Sequence, residues 1–120
     1  MTYDLKATTP SPYRAFASCA EAEGLIYVYK TGEKLSRLTN TTLWGLFQTK
    51  AAVRDAFDRA QAAAEHEIGI KITLEKRVIT QMADVFVRSD KQKVPEPKWT
   101  KSSRFETCRT HQKNDPFFSY

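Results

Sequence analysis

At 120 residues the chain is sized for one domain, and its 41% hydrophobic residues can supply a core. No apolar run reaches membrane-spanning length, and there is no internal repeat or low-complexity tract, which excludes a membrane-spanning helix and a repeat array. The net charge of +5 is uneven: residues 1–87 carry 11 Lys+Arg against 10 Asp+Glu, and residues 88–120 carry 8 against 4. Such asymmetry suits contact with phosphate or with an acidic protein surface.

The opening stretch MTYDLKATTP lacks the basic n-region and apolar h-region of a secretory signal, so a cytoplasmic location is expected. Cys19 and Cys108, the two cysteines, are then expected as reduced thiols rather than a disulfide. Asn40-Thr41-Thr42 matches the glycosylation triplet, but a cytoplasmic chain does not meet that machinery.

Residues 1–10 are polar, with Tyr3 and Leu5 as anchors. Ser11-Pro12 reads as an N-cap followed by a first helical position, and a short helix is expected from Pro12 to about Glu23. Tyr13, Phe16, Ala17 and Ala20 form its apolar stripe, Cys19 lies at the stripe's edge as a small buried hydrophobe, and Gly24 ends the helix. Leu25–Tyr29 is rich in β-branched and aromatic residues and reads as a strand. Lys30–Glu33 is turn-like and Lys34–Leu38 alternates, so the two runs form a β-hairpin. Thr31-Gly32-Glu33-Lys34 lacks the further glycine and the Ser or Thr of a phosphate loop. Leu43, Trp44, Leu46 and Phe47 then form an apolar cluster, expected as a short helical turn packed in the core.

Thr49–Ile68 is the clearest amphipathic helix. Ala52, Val53, Ala56, Phe57, Ala60, Ala63 and Ala64 recur at steps of three and four, which puts them on one face. Thr49 is its N-cap and Gly69 its C-cap, and Arg54–Asp58 and Asp55–Arg59 are spaced as i,i+4 ion pairs. The face is mostly alanine, so it permits close approach but buries little area per residue. After Gly69, Ile70, Ile72 and Leu74 alternate as in a strand. Leu74, Val78, Met82, Val85 and Phe86 follow helical spacing behind Thr73, so a third helix is expected there, with strands at Arg77–Thr80 and Asp84–Val87 as the competing reading.

Residues 88–120 change character. Pro95 and Pro97 forbid a continuous helix across them, and the segment is expected to be extended. The fold class that follows is α+β: a small single domain with a central amphipathic helix, a short N-terminal helix, a β-hairpin and a third helix, followed by an extended C-terminal segment. Residues 1–88 form the compact domain and residues 89–120 the basic aromatic segment.

Metal chemistry has one local pair, Cys108-x2-His111, with Cys19 and His66 as remote singles, whereas structural zinc sites show two local pairs. No metal and no cofactor is expected. Glu65-His66-Glu67 puts a histidine among carboxylates that face other ways, and no nucleophile has an orienting partner, so the protein is not expected to be an enzyme. The binding candidates are Lys98, Trp99, Lys101, Arg104, Phe105, Arg109, His111, Lys113, Phe117, Phe118 and Tyr120, in which bases and rings alternate. The expected function is that of a non-enzymatic accessory or inhibitory protein that docks through this segment on a larger protein or nucleoprotein complex. The alternative is nucleic-acid binding, with phosphates and exposed bases of DNA or RNA held by the same residues. Asn114–Tyr120 holds three rings and no positive charge, which suits a plug in a pocket, of the partner or of its own domain. Oligomeric state is not legible.

Overall fold

In the computed structural model, which describes residues 1–120, the longest element is α2, Lys50–Ile68. The Thr49 hydroxyl accepts the Ala52 N–H at its start, and Gly69, at φ 72°, ends it by donating to the Glu65 carbonyl. Only glycine takes that left-handed geometry without steric cost. Ala56, Phe57, Ala60 and Ala64 are buried, while Ala63 is exposed. The small residues let α1, Tyr13–Ala22, lie against α2. Phe16 of α1 and Phe57 of α2 fill the space between them, their ring centroids 4.7 Å apart.

Tyr3 completes this wedge, 5.0 Å from Phe16 and 5.5 Å from Phe57. It is carried by β1, Thr2–Leu5, whose alternation turns Tyr3 and Leu5 inward and Thr2 and Asp4 outward. β1 pairs antiparallel with β4, Leu74–Val78, with Thr2 opposite Val78 and Tyr3 opposite Arg77. A second antiparallel sheet has the order β2–β3–β5: Val28–Thr31, Lys34–Arg37 and Gln92–Lys93. The two-residue hairpin turn between β2 and β3 uses Gly32 at φ 56°.

α3, Arg104–Asn114, lies over β2. The Ser103 hydroxyl caps it by accepting the Glu106 N–H at 3.1 Å. Phe105 and Cys108 enter the same core cluster as Tyr3 and Phe57, and so does Phe118 from the short 3-10 turn Pro116–Phe118. No helix is long and apolar enough to cross a membrane.

The α+β class stands, with its N-terminal helix, hairpin, central helix, third helix and short C-terminal extension. The third helix, however, is Arg104–Asn114, and Leu74–Phe86 is not helical: Leu74–Val78 is strand β4, and the chain is irregular from there to β5. The cause is β1, which offers Leu74–Val78 a backbone partner; the helical stripe itself had no core to face. Val78, Met82 and Phe86 are 56%, 41% and 98% exposed. Residues 89–120 are likewise not extended, because both prolines fall before α3 and leave it uninterrupted. Trp44 sits in no helical turn. Its backbone bonds reciprocally to Ile26 at 2.9 Å and its indole donates to the Val28 carbonyl at 2.6 Å, so it is a core residue of the hairpin. The i,i+4 ion pairs on α2 are absent: Asp58 meets Arg77 of β4 at 3.0 Å, Arg59 meets Glu23 beyond α1 at 2.7 Å, and Arg54 turns to Asp55. Packed neighbours supplied partners that a lone helix lacks.

Phe57 is wholly enclosed by this wedge. Phe57→Ala should therefore destabilise the domain by about 3–5 kcal/mol, read by urea unfolding. A loss under about 1 kcal/mol would place the ring outside the core.

Candidate docking surface

The C-terminal candidates divide by chemistry. Phe105 and Phe118 are buried, and His111 between them is wholly enclosed. Its Nε2 accepts the Glu96 N–H at 2.9 Å and its Nδ1 lies 2.7 Å from the Thr107 carbonyl. Those partners require the proton on Nδ1 and leave Nε2 as acceptor, a neutral ring. Trp99 is half-buried with its edge toward His111 at 5.5 Å. Tyr120 rests on Tyr27 at 5.9 Å and donates its hydroxyl to the Asn40 carbonyl at 3.1 Å. Phe117, 39% exposed, packs on Phe118 at 5.0 Å with the Lys93 ammonium 5.5 Å from its ring. The rings thus hold the segment to its own domain.

Several cations do the same. Arg109 grips the end of α1 by donating to the Glu21 carboxylate at 3.2 Å and the Glu21 carbonyl at 2.9 Å, and Lys113 lies 3.6 Å from the same carboxylate. Lys98 lies over Trp99 at 4.5 Å with its charge in solvent. Lys101 is exposed, its backbone N–H held by the Thr107 hydroxyl at 2.9 Å. Arg104 is exposed and half-anchored: Nη1 donates to the Tyr29 hydroxyl at 3.1 Å, and no carboxylate pairs with it.

Arg104 also borders a cleft that sequence reasoning missed. The cleft, about 850 Å³, runs between the start of α3, the stretch before α2, and the irregular chain around Ile79–Val85. Tyr29, Trp44 and Phe105 form an edge-to-face run along it, at 5.0 and 5.5 Å. Leu46 and Met82 stand on its lip, 70% and 41% exposed. Lys30, Lys50 and Arg104 border it against the single acid Asp84, and none of the three cations is paired with a carboxylate. Gly45 makes the wall possible, since a Cβ there would run into the Gly24 carbonyl and the Phe47 ring. The Met1 ammonium closes one end by donating to the Leu43 carbonyl at 2.7 Å, and burial lowers its pKa. The apolar run Leu43–Phe47 was the one local signal for this cleft.

The four Cys and His residues are dispersed. Cys19 faces Glu67 at 3.5 Å and His66 is exposed on α2. Cys108 is enclosed, its thiol pushed up to about 11 by burial. No three His, Cys, Asp or Glu side chains are grouped to hold a metal.

Removing residues 115–120 takes away Phe118, the Tyr120 contact and the Asp115–Lys93 pair. The truncated protein should lose about 3–5 kcal/mol of stability in urea, the scale of a buried aromatic; an unchanged midpoint would mean that the segment lies outside the fold. Asp115 adds a pH signature. Burial alone would raise its carboxyl, but the Lys93 ammonium at 2.7 Å and the Phe117 N–H at 3.0 Å hold it below the ordinary carboxylate range. A carboxyl depressed in the folded state contributes stability above its unfolded value of about 4 and loses it as pH falls through the folded value. The stability difference between the protein and Asp115→Asn should therefore be largest at neutral pH and shrink in acid. A difference constant with pH would show that the pair contributes no charge-dependent stability.

No protein-family model, curated protein or solved structure matches this chain.

Proposed function

We propose that the protein is a non-enzymatic accessory or inhibitory protein that docks on a larger protein. The C-terminal segment takes part through Arg104 and Phe105, and the cleft beside the start of α3 receives an apolar side chain of the partner flanked by carboxylates. The observation that carries this reading is the pairing of a ring-walled cleft, 13 of whose 24 lining residues are hydrophobic, with three cations that have no acid of their own. A side chain seated there leaves water on both surfaces, and such fully desolvated anchors are worth about 2 kcal/mol or more each. The cations add orientation and encounter rate more than affinity.

Nucleic-acid binding by the same segment would use its rings to stack on bases. Phe105, His111 and Phe118 are packed in the core and are not free to stack on a base, whereas Phe105 can serve the docking reading as a fixed wall of the cleft.

The test is capture from extract of the source cells on the immobilised full-length chain. Three variants are compared, each checked for an unchanged melting curve: Arg104→Glu, Leu46→Asp, and Lys71→Glu outside the cleft. One protein should be retained by the wild type and Lys71→Glu and lost about tenfold or more in the two cleft variants. Equal retention by all four sinks the reading. Retention that instead falls with nuclease treatment and steeply with salt, about 0.9 in log K per phosphate on duplex DNA, would replace it with the nucleic-acid alternative.

A further inference from the structure

β3 ends on Arg37, a half-buried arginine that the fold leaves without an acid. Its guanidinium carbon lies 4.6 Å from the centre of the Tyr27 ring and 4.9 Å from that of Tyr120. Nη1 donates to the Asn40 side-chain carbonyl at 2.7 Å. Nε is enclosed and has no hydrogen-bond partner. The Tyr3 hydroxyl is also enclosed and unpartnered. An enclosed donor without a partner is unusual in a native protein, where nearly every such atom finds an acceptor.

Arg37 forms one wall of a polar cavity of about 630 Å³. That wall continues through Leu38, Thr39 and Asn40; the facing wall is Arg88–Lys91. The Arg37 N–H donates to the Lys91 carbonyl at 2.9 Å, which ties the walls together, and Ser89 folds back on Lys91 at 3.1 Å through both its bonds. Three cations, Arg37, Arg88 and Lys91, line the cavity against one acid, Asp90. Lys91 also approaches the Phe117 ring, 5.9 Å away.

We propose that this cavity is an oxyanion site that takes a phosphate group. The two rings and Asn40 fix the plane of the guanidinium before any ligand arrives, so little side-chain entropy is lost when it binds. With Nε enclosed and one Nη1 hydrogen held by Asn40, the guanidinium offers its remaining Nη hydrogens to an oxyanion acceptor. The rings clamp the arginine and are not free to stack on a base, so the recognised feature is the anion. A dianion matches the net charge of the lining, whereas a single carboxylate would leave a cation over. Phosphate reaches such a site as a free phosphorylated small molecule, which brings both charges on one group, or as the backbone of a nucleic acid, which carries one charge per phosphodiester and matches the lining only with two successive phosphates.

The experiment is an NMR titration of the ¹⁵N-labelled full-length protein at constant ionic strength. One arm adds inorganic phosphate; the other adds a single-stranded oligothymidylate of about ten nucleotides without a terminal phosphate. Saturable shifts are expected at the Arg37 Nε–H and at the amides of Leu38–Asn40 and Arg88–Lys91 in at least one arm. Arg88→Gln/Lys91→Gln changes two exposed side chains and should weaken that binding about tenfold or more. Arg37→Lys keeps the charge but removes the fork, and should weaken it as well. A tighter response to inorganic phosphate assigns the free source, and a tighter response to the oligothymidylate assigns the backbone. Shifts that fail to saturate in both arms, or an affinity unchanged in Arg88→Gln/Lys91→Gln, overturn the proposal. The site is separate from the cleft at Arg104, so Arg104→Glu should leave these shifts in place.

Discussion

Two helix faces made mostly of alanine bury little area per residue, and the domain depends on the three rings that meet at their junction. Phe16 and Phe57 come from the helices themselves; Tyr3 comes from the opposite end of the first sheet. Because Tyr3 must reach both, β1 is drawn across the helix pair, and its free edge then recruits Leu74–Val78. That pairing ends the run after α2 as a strand. The chain from Ile79 onward then has no sheet or helix to join until it reaches β3 as β5. The irregular stretch between is what leaves Met82 and Val85 beside the cleft. One packing requirement near the N-terminus thus sets the position of a surface formed some 80 residues later in the chain.

A second wedge repeats the logic on the other side of the hairpin. Tyr29, Trp44 and Phe105 meet edge to face, an arrangement that ring quadrupoles favour. Here the third ring is delivered by α3, which is why a segment rich in charge is nonetheless folded onto the domain. The Arg109–Glu21 grip and the His111–Glu96 bond then fix α3 at its middle and end. The first wedge takes one ring from the N-terminal strand and the second one ring from the C-terminal helix, so neither half of the core is complete without a terminal segment.

This division explains what could be read in advance. α2 was legible with both caps, because Thr49, the alanine spacing and Gly69 are all local signals. The hairpin and the core position of Trp44 were legible from composition over a few residues. β1 and β4 were not: Tyr3 and Leu5 stood out as anchors, but nothing between residues 2 and 78 announces that the two stretches pair. Helical spacing over Leu74–Phe86 was real as a pattern and empty as a prediction, since periodicity records which residues share a face and not whether a core awaits them. In the C-terminal segment the sequence picks out the rings and the cations but does not say which way they turn. Phe105, His111 and Phe118 turn inward, and Lys98, Lys101 and Arg104 turn outward.

The charge asymmetry has a similar resolution. Residues 88–120 carry eight cations against four acids, which looks like a positive tail offered to a partner. Yet Arg109 and Lys113 face Glu21, and Lys93 sits between Glu96 and Asp115. Three of the eight are therefore engaged in holding the segment in place. The positive border of the cleft is assembled instead from Lys30 on the hairpin, Lys50 at the start of α2 and Arg104 at the start of α3. Those residues are 20 and 54 positions apart, so no window of sequence is especially basic where the folded surface is. Net charge by segment reports where cations are encoded; the availability of a cation for a partner depends on whether the fold has already given it an acid.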